Sequence, residues 1–389
     1  MSVAAERDGE TLELVLGDVA DSTVRFQAAS ITKTVTAEAV LSLVADRLIS
    51  LDEDVSSLPG LPCVTGKAWR PRVTVRMLLS HQAGLIDDSG FPGYRVGAPL
   101  PTNGEILAGG EIVNSASFRV GVLPGAQLRY SGVGYQALQL LIEERTGEEF
   151  ASVVQQRVFD PAGMTSACLA QPPPPGDPGF AIGHVDGAPI PDGWHVYPEL
   201  AAAAMWCTPA DLLALHRLVL RRPSAWLQRE ASSPAGSYGL GITLSPSGTI
   251  GHTGGNRGFV SWMVGSPDGR HRVGVMMNGE DRRLPLAAAS IVATELGWDA
   301  IPMPPAGADD LVASILGTYA DEAHTVSVTL DAELGLVMVF DDQPPIALSF
   351  VPPDLTAPGM AISMRIDNQP DGALLTLRQP GLKLELARR

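Results

Sequence analysis

The order of hydrophobic patterns along the chain limits the fold more than any other feature of the sequence. Residues 11–28 contain two short segments in which apolar and polar side chains alternate, as in half-buried strands. From Ser30 the apolar residues recur every three or four positions, which predicts a helix. Residues 51–230 mix loops with short helices, and from Ser237 an antiparallel meander of strands is predicted, followed by one more helix. Strands at both ends with a helical region inserted between them predict an α+β domain.

A second domain is predicted at the C-terminal end of the 389-residue chain. A chain of this length exceeds the usual size of one domain, and prolines cluster at 301–308. Residues 309–389 alternate strand-like runs with Asp, Gly and Pro turns, which is typical of a small all-β module. We therefore predict a main domain over 1–302, a linker over 303–308 and a small β-rich, barrel-like domain of lipocalin type over 309–389.

Charge and hydropathy exclude several kinds of partner. The net charge is −16 and Lys and Arg form no cluster, so neither nucleic acid nor an anionic membrane surface is an expected partner. No apolar run reaches the roughly 18 residues that a membrane-spanning helix requires. The first residues carry acids where a signal peptide has an apolar segment, which predicts a cytoplasmic location.

The sequence implies no metal and no cofactor. The three cysteines, Cys63, Cys168 and Cys207, are far apart and form neither a zinc-binding nor a disulfide pattern. The chain contains no H-E-x-x-H motif. A loose match to a dinucleotide-binding fingerprint at 132–137 is rejected, because no apolar strand leads into it. These patterns leave the oligomeric state open.

The strongest chemical signal is the S-x-x-K sequence at 30–33, which occurs once in the chain, at the start of a predicted helix. Residues three apart on a helix are neighbours, so the Lys33 amine can reach the Ser30 hydroxyl and activate it as a nucleophile. Of the 27 basic residues only three are lysines, and a lysine, unlike an arginine, can lose its proton in a protein. The alternative is that Ser30 only caps the helix, but a capping box would place Glu or Gln at position 33.

Two further segments hold candidate site residues. The sequence Y-S-G at 130–132 precedes a predicted helix, and a tyrosine beside a lysine can have a lowered phenol pKa and act as a proton shuttle. The sequence H-T-G-G at 252–255 lies on a predicted strand, where small residues let a substrate approach backbone N–H groups. A histidine there can donate to the substrate or to the tyrosine, although a lone histidine on a strand is more often structural.

Together and in this order, SITK, YSG and HTG resemble the three motifs of the penicillin-binding-protein and class C β-lactamase superfamily, S-x-x-K, Y-x-N and K-T-G or H-x-G. This superfamily also contains many esterases and D-amino-acid peptidases. Further similarity lies in LLSHQAGL, GFPGY, VFDPAGM and WCTPADL, at 78–85, 90–94, 158–164 and 206–212. The resemblance implies a β-lactamase-like α+β fold, in which helices flank an antiparallel sheet and a helical region is inserted.

The resemblance also implies catalytic roles. Ser30 would be the nucleophile and Lys33 its activator. Tyr130 would act as general base and acid, and His252 would replace the lysine of the third motif.

The substrate-binding positions follow from the same resemblance. They would be Gly132, Gly254 and Gly255, and the backbone N–H groups of Ser30 and Gly255 would form an oxyanion hole. His81 is expected to anchor a loop, and the acidic pair at 87–88 is expected to form a solvated turn.

The sequence departs from the family pattern at two points. Gly132 stands where the family often has Asn, so a side-chain amide that could hold a substrate carbonyl is missing. We therefore expect turnover of short esters, little turnover of penicillins, and a larger gain for β-lactams than for esters in Gly132→Asn. Ser30 also comes unusually early, so the N-terminal helix that normally packs on the sheet is expected to be short or absent.

The predicted function is that of a serine acyl-enzyme hydrolase that acts on a small ester, amide or peptide. Two alternatives stay open from the sequence. One is a biosynthetic acyl-transferase or peptide cyclase that uses the same acyl-Ser30 site. The other, from a different class, is a β-lactam-type sensor or binding protein that is acylated without turnover.

Overall fold

The computed structural model describes residues 1–17, 19–62, 71–87, 90–174, 176–233, 236–245, 248–298, 317–321, 324–331, 335–341, 346–347, 349–351, 354–356, 363–369, 372–379 and 382–388. The chain divides into two compact units, one made of Met1–Ala231 and Ser237–Met303, the other of Ser232–Gly236 and Pro304–Arg389. The predicted linker at 303–308 lies outside the described residues, so its boundaries stay a prediction.

The helices in these ranges are α1 Thr32–Ala45, α2 Val75–Leu79, α3 Asn103–Ala108, α4 Val133–Thr146, α5 Phe150–Val154, α6 Asp160–Ala162, α7 Leu200–Ala203, α8 Pro209–Val219 and α9 Arg283–Glu295. Short 3₁₀ turns lie at Ala29–Ile31 and Ser224–Leu227, and a π-helical turn lies at Gln155–Phe159. Across the described ranges, every helix lacks the combination of length and apolar character needed to cross a bilayer.

The strands up to residue 277 are β1 Ser2–Arg7, β2 Glu10–Val15, β3 Phe26–Gln27, β4 Tyr94–Arg95, β5 His184–Val185, β6 Ala188–Pro189, β7 His195–Val196, β8 Trp206–Cys207, β9 Ala231–Ser233, β10 Gly236–Tyr238, β11 Thr243–Leu244, β12 Ile250–Asn256, β13 Phe259–Gly265 and β14 His271–Met277. The main sheet has eight strands in the order β2-β1-β14-β13-β12-β11-β10-β9. Its centre is the predicted meander, since β12, β13 and β14 pair antiparallel in succession.

The N-terminal edge of this sheet differs from the prediction. Strand β1 pairs with both β2 and β14, and its first five residues are buried. Its sequence SVAAER shows no clear alternation of apolar and polar residues, so only tertiary pairing makes it a strand. The second strand expected within 11–28 is reduced to the two residues of β3.

Helices cover both faces of the sheet. Leu212 of α8 packs against Gly274 of β14, whereas Val273 and Val275 of the same strand share a cluster with α9 residues. Because successive residues of a strand point to opposite faces, α8 and α9 lie on opposite sides. In the described part of the chain no α-helix precedes Ser30.

Helix α1 lies in the interior of the first unit. Ten consecutive residues from Thr32 to Leu41 are buried, whichever side of the helix they occupy. A helix that is buried all round belongs to a core rather than to a surface, and here even polar side chains are enclosed. The helix therefore carries Lys33 into the protein interior, which sets the chemistry described below.

The C-terminal unit is all-β in its described residues. Its strands are β15 Gly317–Ala320, β16 Thr325–Asp331, β17 Gly335–Phe340, β18 Ile346–Ala347, β19 Ser349–Val351, β20 Asp354–Thr356, β21 Ser363–Gln369, β22 Gly372–Gln379 and β23 Leu382–Arg388. They form one sheet in the order β18-β17-β16-β15-β23-β22-β21-β20-β19. The two edge strands, β18 and β19, are separated by one residue in the chain, so the sheet must curl to bring its edges together. The predicted α+β fold is confirmed, and the C-terminal region, predicted to be all-β and barrel-like, forms a curled sheet.

Candidate active site

Ser30 lies in the 3₁₀ turn Ala29–Ile31, between the short strand β3 and helix α1. Its neighbour Ala29 has a φ of 49°, in the left-handed region that residues other than glycine rarely adopt. Ala29 is completely buried, so the surrounding packing holds this conformation. Strained backbone of this kind occurs mainly at functional sites. The 3₁₀ turn at Ala29–Ile31 leaves the Ser30 side chain partly exposed, where a substrate can reach it.

Lys33 follows one turn later on α1 and contacts the serine. Its Nζ donates to Ser30 Oγ at 3.0 Å and to the carbonyl oxygen of Ala202 at 3.0 Å. Lys33 is 1% exposed, and this burial lowers its pKa from 10.5 to about 7, although the charges of Asp87 and Glu199 act in the opposite direction. Near neutral pH a large fraction of Lys33 is therefore a neutral amine, whose lone pair can accept the serine proton.

Aromatic rings enclose the Lys33 amine. The ring centroid of Tyr130 lies 5.1 Å from Nζ, and those of Phe91 and Tyr135 lie at 5.8 Å. Tyr135 is fully buried and donates to the carbonyl oxygen of Leu79 at 2.9 Å, which fixes its ring. These rings keep water from the amine, and this desolvation is what lowers the lysine pKa.

Tyr130 lies beside the nucleophile, with its hydroxyl hydrogen-bonded to Ser30. Its ring packs on His81 at a centroid distance of 4.2 Å, and Nδ1 of His81 accepts from the backbone N–H of Ser131 at 3.1 Å. The prediction of a lowered phenol pKa is wrong. Loss of water around the hydroxyl raises the pKa of Tyr130, although 43% of the residue is exposed, and the hydrogen bond with Ser30 offsets only part of the rise. At neutral pH Tyr130 is therefore a proton donor and not a phenolate.

His252 lies on β12, and both of its ring nitrogens are engaged within the protein. Nδ1 faces the carbonyl oxygen of Thr253 at 2.6 Å, so Nδ1 carries the proton. Burial lowers the pKa of His252 to about 3, with the Lys33 charge acting in the same direction, so the ring is neutral. Nε2 therefore accepts from the Tyr238 hydroxyl at 2.5 Å. The expected donation to the substrate or to Tyr130 is not made in this arrangement, since neither nitrogen is free.

Strand β12 lies directly against the nucleophile turn at Gly254. A Cβ at this position would collide with the carbonyl oxygen of Ala28 and with Oγ of Ser261, and would lie 3.0 Å from the backbone nitrogen of Ser30. Ser261 on β13 closes the contact by donating to the Ala28 carbonyl at 2.7 Å. Glycine is therefore required at 254, and it brings the edge of β12 alongside the backbone of Ser30.

Asp87 anchors the segment that carries Tyr130. It is 7% exposed, and its Oδ2 accepts from Ser131 Oγ at 3.1 Å and from the Val133 N–H at 2.8 Å, at the first turn of α4. Burial raises the pKa of Asp87, while these two donors favour the charged form. The prediction of a solvated turn is wrong for Asp87, and Asp88 lies outside the described residues. No local pattern reveals the contact, because the carboxylate and the helix it caps are far apart in sequence.

Glu199 is a second buried carboxyl group near the lysine. It has no exposed surface and directly precedes α7, the helix whose Ala202 carbonyl accepts from Lys33. Burial raises the pKa of Glu199 to about 7, and Ser115 Oγ donates weakly to Oε1 at 3.4 Å. Lys33 and Glu199 therefore titrate in the same pH range, and each shifts the pKa of the other.

Arg282 adds a positive charge at the edge of β12. It is exposed and directly precedes α9, and a Cβ at Gly255 would lie 2.7 Å from its Nη2. Its charge also acts to lower the pKa of Tyr130. The guanidinium therefore lies over the glycine that the resemblance assigns to the oxyanion hole. The sequence holds no signal for this placement, which depends on the turn between β14 and α9.

A serine, a titratable lysine and a tyrosine thus meet at one point, beside a glycine-rich strand edge. The model of the Beta-lactamase family matches residues 1–295 of the chain. The chain belongs to the Beta-lactamase family. The predicted superfamily and the predicted enzyme class, a serine hydrolase of this superfamily, are confirmed.

Two curated relatives of this Beta-lactamase-family chain are named for different activities. Esterase EstB of Burkholderia gladioli is 30% identical over 228 residues, which cover 55% of this chain and 53% of the esterase. A D-aminopeptidase of Gluconobacter oxydans strain 621H is 26% identical over 328 residues, covering 80% of this chain and 59% of the peptidase. The chain thus spans little more than half the length of these two curated relatives.

Solved structures share the fold at low sequence identity. The octameric penicillin-binding protein homologue from Pyrococcus abyssi aligns with a TM-score of 0.66 at 19% identity, over 99% of this chain and 90% of that one. At this identity the likeness shows the fold of the Beta-lactamase family and no particular substrate.

Proposed function

We propose that the protein hydrolyses small esters or amides through an acyl-enzyme formed on Ser30. The observation that carries this proposal is the contact of Lys33 Nζ with Ser30 Oγ at 3.0 Å, in surroundings that lower the lysine pKa to about 7. A serine needs a neighbouring base to become a good nucleophile, and an amine that is partly neutral at physiological pH is such a base.

Acylation follows from this arrangement. Ser30 Oγ attacks the carbonyl carbon of the substrate while its proton moves to Lys33 Nζ, and the carbonyl oxygen becomes an oxyanion. Tyr130, hydrogen-bonded to Ser30 and neutral because its pKa is raised, donates a proton to the leaving alcohol or amine and regains one from Lys33. The C–O or C–N bond of the substrate breaks, and the acyl group stays on Ser30.

Deacylation reverses these proton transfers with water as the acceptor. Lys33, neutral again, removes a proton from the water that attacks the acyl carbon, and the bond between Ser30 Oγ and the acyl carbon breaks as Ser30 takes that proton from Lys33. We propose that the backbone N–H groups of Ser30 and Gly255 donate to the oxyanion, because Gly254 lets β12 lie directly against the turn that carries Ser30. His252 has a positioning role in this scheme, since its contacts with Tyr238 and Thr253 fix the strand.

Two observations favour esters and simple amides over β-lactams. Position 132 carries no side-chain amide, so one hydrogen-bonding group for the amide of a penicillin is absent. The names esterase and D-aminopeptidase among the relatives agree with an ester or amide substrate. We propose that a small acyl group is transferred to water.

Intact-mass measurement with p-nitrophenyl butyrate tests the proposal. The wild type should gain the mass of one butyryl group at short times, release many equivalents of p-nitrophenol, and form butyric acid. Ser30→Ala should do none of these, and Ser152→Ala, the same change at an exposed position on α5, should behave as the wild type. A burst of one equivalent without turnover would indicate a sensor, an amide product with added amine would indicate an acyl-transferase, and labelling of Ser30→Ala would refute the assigned nucleophile.

A further inference from the structure

An aromatic ring from another loop fills the space beside Gly132, the position at which the sequence differs from the family pattern. Gly132 lies two residues after Tyr130, at the start of α4. A Cβ at Gly132 would collide with Cε2 and Cζ of Phe91. The ring of Phe91 thus fills the space in which any other residue at 132 would place its side chain.

Several contacts hold the loop that follows Phe91. The carbonyl oxygen of Pro92 accepts from Nδ1 of His195 at 3.0 Å, and the carbonyl oxygen of Gly93 accepts from the side chain of Asn114 at 3.0 Å. Gly93 has a φ of 70°, and a Cβ there would lie 2.7 Å from the Tyr197 ring. The loop then continues into β4, which pairs with β7. Phe91 therefore extends from a fixed backbone into the site.

The same ring faces the reacting groups. Its centroid lies 5.8 Å from Nζ of Lys33, whose amine contacts Ser30 Oγ at 3.0 Å. The space beside the nucleophile is consequently bounded by an apolar face, where an amide at position 132 would offer a donor and an acceptor. An apolar wall accepts an alkyl or aromatic group and gives no hydrogen bond to a polar one.

We propose that Phe91 determines specificity, by replacing a polar wall at position 132 with an apolar one. The enzyme then prefers acyl groups that are hydrocarbon next to the reactive carbonyl over acyl groups that carry an amide at that place. This inference rests on the proposed acyl-Ser30 function and names its substrate class. It also changes the expectation for Gly132→Asn, because the new side chain must displace the Phe91 ring.

Two esters of equal length test the inference. p-Nitrophenyl pentanoate and the p-nitrophenyl ester of N-acetylglycine share a leaving group and a five-atom acyl chain, and only the second has an amide. We expect the wild type to have the higher kcat/KM for pentanoate. Phe91→Ala should reduce this preference, Phe91→Leu should keep it, and Phe91→Ala/Gly132→Asn should move it by roughly tenfold or more towards N-acetylglycine.

The failure of this inference is distinguishable from failure of the proposed function. If Phe91→Ala and the double variant both keep the wild-type preference while Ser30 is acylated by both esters, Phe91 has no role in specificity. If the wild type acylates Ser30 with neither ester, the proposed function itself is wrong. Gly132→Asn alone is expected to fold poorly or to lose activity towards both esters, and normal activity in it would contradict the collision with Phe91.

Discussion

Two buried basic groups lie at the same site on different elements, Lys33 on α1 and His252 on β12. Burial lowers the pKa of both, and the results differ because the starting values differ. Lysine falls from 10.5 to about 7, into the range where it exchanges protons, whereas histidine falls from 6.5 to about 3 and stays neutral. The same desolvation thus produces a base on one side and a fixed, uncharged support on the other.

The hydrogen bonds reinforce this difference. Lys33 contacts the nucleophile itself, so a change in its protonation alters the reacting atom. His252 contacts Tyr238 and the Thr253 carbonyl, and neither of these belongs to the proposed proton path. Burial alone therefore does not identify a catalytic group, because the partner of the group and its unperturbed pKa decide its role.

The largest loss of activity is expected when Lys33 on α1 is replaced. Lys33→Arg keeps the positive charge but cannot accept a proton, so kcat/KM for p-nitrophenyl butyrate should fall roughly a hundredfold or more. Lys383→Arg, the same change at an exposed position on β23, should leave kcat/KM unchanged. Near-normal activity in a folded Lys33→Arg enzyme would mean that the lysine contributes only charge.

A smaller loss of activity is expected when the proton donor Tyr130 is replaced. Tyr130→Phe removes the hydroxyl that is hydrogen-bonded to Ser30 and should lower kcat/KM by about ten- to a hundredfold. The loss should be greater for a poor leaving group such as an alkyl alcohol than for p-nitrophenol, which needs little protonation. An equal loss for both leaving groups would contradict the role of Tyr130 as acid.

A substitution next to His252 on β12 should lower the stability of the protein more than its catalytic activity. Tyr238→Phe leaves Nε2 of His252 buried without its donor, and an unsatisfied buried acceptor costs about 1–3 kcal/mol of stability. We expect a lower urea midpoint together with a loss of kcat/KM of less than about tenfold, well below the effect of a missing general base. A loss as large as that of Lys33→Arg would place His252 in the proton path.

The last expected effect is a dependence of stability on pH. Between the folded pKa of Lys33, about 7, and its unfolded value of 10.5, the unfolded chain binds a proton that the folded chain has released. Wild-type stability therefore rises with pH in this window, relative to Lys33→Met, by up to about 1.4 kcal/mol per pH unit. Urea unfolding of the wild type and Lys33→Met at pH 7, 8 and 9 measures this difference in the free energy of unfolding. As a control, Lys383→Met should have the same pH dependence of stability as the wild type. Parallel plots of stability against pH for the wild type and Lys33→Met would contradict the lowered pKa.

The sequence predicts the contact between Ser30 and Lys33 much better than it predicts the partners of His252. Ser30 and Lys33 lie within one helical turn, so their contact follows from helix geometry alone. The partners of His252 do not follow in this way, because Tyr238 lies on another strand and meets the ring only through the register of the sheet. The sequence pattern therefore indicated His252 as a donor, and the structure shows its nitrogens engaged.

The same physical limit applies to the rest of the fold and site. The meander and helices α4 and α8 follow from periodicity, whereas β1 depends on pairing with β14. Asp87, Glu199 and Phe91 reach the site from loops or short elements, whose paths are set by long-range packing. A solvated turn and a carboxylate that caps a buried helix look alike in sequence, and only burial separates them.

The most direct test of Lys33 as the base is the pH dependence of Ser30 acylation, measured as the burst rate with p-nitrophenyl butyrate. The wild-type rate should rise as the pH passes about 7 and Lys33 loses its proton. Tyr238→Phe should keep this inflection. Glu199→Gln should move it to lower pH without removing it, because the Glu199 charge raises the lysine pKa. Lys33→Arg should show a slow rate without the inflection, and an inflection near pH 7 that persists in Lys33→Arg or disappears in Glu199→Gln would contradict Lys33 as the base.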